Sequence, residues 1–194
     1  MQLTADEIDD VLYLTRVNEK EELLTFLNEL ASRNSSTPRA VLETSIDPEN
    51  GNTAIHFCAA NGLNALLQSL LETLKADQPS ELINKRNESS NTPLHWAALN
   101  GHLEVCKLLV NAGADMWIRN SAGNLAIFEA ERAGKDDVVA WLLEIGGTEK
   151  EKEGVQQEAS AGADEEHIEI KMSAGETDSV DEAQDKLNQT SLNG

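Results

Sequence analysis

The chain has 194 residues and carries 35 acidic against 15 basic side chains, a formal net charge of −20, with 40% hydrophobic and only 4% aromatic residues. This balance argues against direct nucleic-acid binding, which is built from clustered lysine and arginine, and favours a basic protein partner. No run approaches the roughly 18 apolar residues of a membrane helix, and two cysteines, Cys58 and Cys106, make no disulfide framework, so a reducing compartment is expected.

The opening MQLTADEIDD is acidic and lacks the pattern of a signal peptide. Within it, Thr4-Ala5-Asp6-Glu7 reads as a capping box at a helix start. Apolar residues then recur at helical spacing through Ile8, Val11 and Leu12. After a break near Asn18 they recur through Leu23, Leu24, Leu27 and Leu30. Residues 5–31 are therefore expected to form a degenerate N-terminal helical repeat.

Three later segments align with one another, beginning at Asn52, Asn91 and Asn124, with equivalent positions at His56, His95 and Phe128 and at Gly62, Gly101 and Gly134. Their spacings are 39 and then 33 residues. The extra six residues fall around Lys75–Leu82, where Pro79 and Ser80 mark a loop. In the middle copy Thr92 is placed to cap a helix, Pro93 suits its first turn, and Gly101 supplies a left-handed end. A second helix is expected from Leu103 to about Asn111, ended by Gly113, with an extended finger over Ala114–Asn120. The period and the Thr-Pro-Leu-His opening resemble the ankyrin repeat, a unit too small to hide its apolar face alone. In the last copy Leu125, Ala126 and Phe128 replace Thr, Pro and His. Glu131 stands where Ala98 would meet a following repeat, so nothing is expected to follow. The fold class is all-α: a solenoid over residues 1–147, with repeats from about 47, 87 and 120.

Residues 148–194 hold 13 acids, 4 bases, seven large aliphatic or Met side chains and no aromatic residue. They cannot bury enough apolar surface to offset chain entropy, so a disordered acidic tail is expected. Its acidic runs Asp164–Glu166 and Glu176–Glu182 extend the negative field. The alternating stretch from His167 to Met172 could add as a strand to a partner's sheet edge.

No metal, cofactor or catalytic motif appears, and the expectation is a non-enzyme. His56 and His95 are read as structural, bonding threonine and backbone between adjacent repeats, as the ankyrin motif implies. Both cysteines are read as small buried hydrophobes. Stacked repeats offer a concave face of inner helices and finger tips, where spacing places the variable residues. On inner helices these are Phe57, Asn61, Trp96, Leu99, Asn100, Glu129 and Arg132. On the fingers they are Arg86, Glu88, Asn91, Arg119 and Asn124, with Trp117 beside them. Trp96 and Leu99 resemble interface anchors, although burial between neighbouring inner helices remains open for Trp96. Trp117 stands where the repeat usually has Asn, which favours contact, whereas Trp141 is read as packing.

The run Thr92-Pro93-Leu94-His95-Trp96-Ala97 with Asn100-Gly101 is followed by Ile118-Arg119-Asn120 and by Ala126-Ile127-Phe128-Glu129-Ala130 with Gly134-Lys135. Over residues 50–145 this pattern resembles the small fungal ankyrin-repeat chaperones dedicated to ribosomal protein three of the small subunit. The resemblance implies a monomer, when free, that meets a newly made basic client in the cytoplasm and escorts it toward nuclear ribosome assembly. An ankyrin adaptor for a signalling or transcription factor is the alternative, and an enzyme using His56 and His95 a more distant one.

Overall fold

The computed structural model describes residues 2–75 and 80–147, all within one unit, Met1–Val155; a second unit, Gln156–Gly194, lies wholly outside them. The expected tail, with its acidic runs and its His167–Met172 stretch, therefore falls outside the described residues.

Helix α1 (Ala5–Arg16) starts at the expected capping box: the Thr4 amide donates to Glu7 Oε2 at 2.9 Å, and the Glu7 amide to Thr4 Oγ1 at 3.2 Å. Asp6 and Glu7 in its first turn and Arg16 in its last complement the helix dipole. Asn18, with φ 62°, turns the chain into α2 (Lys20–Arg33). Val11 and Leu12 of α1 and Leu23, Leu27 and Leu30 of α2 are buried, so the degenerate repeat is a true helix pair.

One element was not expected. Helix α3 (Pro38–Thr44) begins where Thr37 Oγ1 accepts from the Ala40 amide at 3.2 Å with Pro38 in the first turn, and it buries Val41 and Leu42 against α2 and α5 (Asn64–Leu74). Two turns with contiguous apolar residues show no helical period, which is why the sequence pattern passes over it.

The clear repeats follow as α4 (Ala54–Asn61) with α5, α6 (Pro93–Asn100) with α7 (Leu103–Asn111), and α8 (Ala126–Arg132) with α9 over 136–147. Around the expected loop at Lys75–Leu82, a 3-10 helix, Glu81–Asn84, buries Leu82 and Ile83. The Ser80 hydroxyl leads into it, donating to Glu43 Oε1 at 3.0 Å. Gly101 ends α6 in the left-handed region at φ +80°. Among the described residues there is no strand, only an isolated antiparallel bridge between Ile46 and Thr53.

The inner helices pack in sequence, α1 on α4, α4 on α6, α6 on α8, while α3, α5 and α7 form the outer row. Ala97, Ala98 and Ala59 are fully buried at the inner contacts, because only small side chains let inner helices approach closely. One continuous core runs from Leu3 to Leu142. That continuity is why no single repeat is stable alone.

Candidate partner-binding surface

The two histidines knit neighbouring repeats together. The amide of Thr53 and its hydroxyl both approach His56 Nδ1, at 3.3 and 3.0 Å, while His56 Nε2 meets the Asn91 carbonyl at 3.1 Å. Thr92 and His95 repeat the pattern at 3.2 and 2.8 Å, with His95 Nε2 3.1 Å from the Asn124 carbonyl. A carbonyl only accepts, so Nε2 carries the proton and Nδ1 is the acceptor. Burial lowers the pKa of His56 from 6.5 to about 4, and burial also lowers that of His95. Both rings are thus neutral bolts. The thiols of Cys58 and Cys106, likewise buried, are pushed up to about 12.

The fingers form a second lattice. Asn87 Nδ2 donates to Asn52 Oδ1 and Asn120 Nδ2 to Asn91 Oδ1, each at 2.9 Å. The Glu88 amide donates to the Asn50 carbonyl at 2.9 Å and the Ser121 amide to the Ser89 carbonyl at 3.1 Å. Arg86 reaches the Arg119 carbonyl at 3.0 Å, and Arg119 the Gly123 carbonyl at 2.8 Å. Gly51, at φ +72°, brings its backbone so near Asn87 that an added Cβ would lie 3.3 Å from the Asn87 Cα.

Glu129 corrects the sequence reading. Expected on the variable face, it is 6% exposed and accepts from Asn120 Nδ2 at 2.9 Å, Asn124 Nδ2 at 3.1 Å and Arg132 Nη2 at 2.5 Å. The Arg132 hydrogen bond is the largest influence holding its carboxyl below the usual range. Among the described residues its carboxylate therefore closes the asparagine ladder at Asn120 and Asn124. Asn91 and Asn124, also expected as contact residues, are half-buried and committed to this lattice.

The other expected positions divide by exposure. Asn61, Arg86, Glu88, Asn100, Trp117, Arg119 and Arg132 are exposed; Phe57, Trp96 and Leu99 are half-buried. Arg16 of α1 stacks over the Phe57 ring, 5.0 Å from its centroid. Asn100 Nδ2 donates to the Ala60 and Trp96 carbonyls, 3.1 Å each, fixing α6 to α4. Trp96 packs against the core and its Nε1 is enclosed with no acceptor, while Trp141 packs there as expected. Trp117, 45% exposed, lines an apolar groove of about 350 Å³ with Phe128, Ile127, Leu142 and Leu143. Phe128 has lost the histidine's inter-repeat bond and points an apolar ring outward, 46% exposed. Among the described residues, no group of three or more His, Cys, Asp or Glu is placed to hold a metal ion.

The family profile described as ankyrin repeats (3 copies) matches residues 15–120 and 80–154. The chain belongs to the ankyrin-repeat family. It is 37% identical over 158 residues to the ankyrin repeat-containing protein P16F5.05c of Schizosaccharomyces pombe, covering 80% of this chain and 99% of that one. To the ankyrin repeat-containing protein YAR1 of Saccharomyces cerevisiae it is 33% identical over 146 residues, covering 73% and 70%. A chain in the crystal structure of the yeast ribosomal protein Rps3 in complex with its chaperone Yar1 matches with a TM-score of 0.67 and 35% identity, over 74% of this chain and 95% of that one. By contrast, this ankyrin-repeat protein spans only 10% of the length of the rat and chicken nuclear factor NF-kappa-B p105 subunits, at 30% identity over 100 residues.

Proposed function

We propose that this ankyrin-repeat protein is a dedicated chaperone that binds a newly made small-subunit ribosomal protein of the Rps3 kind, keeps it soluble and escorts it to ribosome assembly. The observation that carries this is the 35% identity spread over 95% of a chain in the Rps3–Yar1 complex, far beyond the near-generic middle repeat. Charge supports it independently. A basic RNA-binding protein without its RNA attracts unsuitable polyanions, and a partner of net charge −20 substitutes for RNA while a shaped face selects. The interior histidines are spent on holding repeats together, which agrees with a binding role.

In this reading the half-buried Trp96 and Leu99 and the exposed Trp117 are the apolar anchors, and Arg86, Glu88 and Asn100 set polar specificity. Residues 148–194 lend long-range attraction, and the chaperone works in cytoplasm and nucleus. Affinity purification of the tagged full-length chain from cells at low salt tests the proposal. One basic small-subunit ribosomal protein is expected to dominate the co-purifying material; its absence refutes the reading. Leu99→Glu should weaken that capture while a circular-dichroism melt stays close to the wild type.

A further inference from the structure

The first helix pair carries a feature that the repeat pattern does not account for. A pocket of about 620 Å³ opens between α1 and α2, walled by the carboxylates of Asp10, Glu21, Glu22 and Glu29. Its apolar surface comes from Tyr13, Leu14 and Phe26. Leu14 and Phe26 are packed against the core, so this floor is fixed, whereas Tyr13 is 58% exposed. Asp10, Tyr13 and Leu14 share one face of α1 by their i, i+3, i+4 spacing, and Glu22, Phe26 and Glu29 share one face of α2 by i, i+4, i+7.

Among the described residues none of the four carboxylates pairs with a cation. Arg33 is held by Glu7 at 2.8 Å, and Arg16 lies over Phe57. Unneutralised like charges crowded round one pocket destabilise the free protein slightly, and a cation entering it relieves that cost. The aromatic floor specifies the cation further. An aliphatic stem or guanidinium lies flat on Tyr13 and Phe26 while its charge meets the surrounding carboxylates. A nucleic acid is repelled by the same walls.

We infer that the α1–α2 pocket is a docking site for an arginine- or lysine-bearing apolar segment of the client, built from residues other than those assigned to the inner-helix and finger face. This rests on the chaperone reading above. Negative charge over apolar floor matches a basic client's own mixture of cationic and apolar side chains, and the charge complementarity commits the site to that occupant.

The test titrates purified Rps3 into the full-length protein, its Glu22→Gln/Glu29→Gln variant, its Tyr13→Ala variant, and a control of equal charge change, Glu72→Gln/Glu104→Gln, on the outer helices. All substituted side chains are exposed, and circular-dichroism melts confirm folding. The glutamine pair in the pocket should weaken binding about three- to tenfold at low salt, with the loss fading as salt is added. Tyr13→Ala should weaken it about tenfold or more at either salt. The control should bind like the wild type. Pocket variants within twofold of the wild type overturn the site and leave the chaperone reading standing. A control weakened as much as the pocket pair also overturns it, since net charge would then explain the effect. Failure of the unaltered protein to bind Rps3 refutes the chaperone reading and this site with it.

Discussion

Acidification from pH 7 to pH 5 should destabilise this protein through His56, and the size of the effect follows from its surroundings. The ring is 1% exposed, its Nδ1 takes the Thr53 donors, and its Nε2–H is spent on the Asn91 carbonyl. Protonating Nδ1 would set a cation against two donors in the interior, near Lys85, whose charge also opposes it. The folded-state pKa of about 4 lies below the unfolded value of 6.5, so the unfolded chain binds more protons between these values. Stability from this group is full above pH 6.5 and is lost as the pH falls through the window toward 4. Between pH 7 and 5 the loss is about 2 kcal/mol, a large part of a net stability on the order of 5–15 kcal/mol. The −20 charge works in the opposite direction, because acid relieves self-repulsion. Comparison with His56→Gln, which cancels that background, isolates the histidine. Urea unfolding of both proteins at pH 7 and 5 should show the wild type losing about 2 kcal/mol more than the variant. Equal pH dependence of the two, or a His56 ring titrating near 6.5 by NMR in the folded protein, would refute the interior-bolt argument.

Two other perturbations probe the repeat lattice. Glu129→Ala removes the acceptor shared by Asn120, Asn124 and Arg132, and it should cost about 1–3 kcal/mol in urea unfolding. Hydrogen exchange should quicken in the finger over residues 120–124, whereas an unaltered finger would show that the carboxylate is dispensable. Gly101→Ala forces a side chain into φ +80° with its Cβ 2.7 Å from Lys135 Cδ; the lysine can move but the backbone strain cannot be relieved. A loss of about 1–2 kcal/mol is expected, and a neutral result would contradict the left-handed cap.

Much of the scaffold is legible in short stretches of chain. Thr4 and Glu7 sit three residues apart and bond each other, so the start of α1 is a local matter. The same holds for Pro93 and Gly101 at the ends of α6 and for the bounds of α7, each dictated by backbone preferences of a few residues. Helix α3 escapes this logic. Its seven residues lack a period, and its existence depends on Val41 and Leu42 finding α2 and α5.

The binding surface is less legible for the same reason. Spacing places Glu129 beside Phe57 and Trp96 in the repeat register, which suggested a shared outward face. Its burial is settled by Asn120 and Asn124 folding back over it. The α1–α2 pocket needs Tyr13 and Phe26, from different helices, to line one cavity with four acidic residues. A lone tyrosine on a polar helix face was the only signal available beforehand.

Period, caps and charge are properties of neighbouring residues, so the order of amino acids alone determined a negatively charged stack of helix pairs. The three-dimensional packing alone decided which side chains seal that stack and which remain free. Asn91 meets His56 across 35 residues and Asn120 across 29, distances over which no local preference acts.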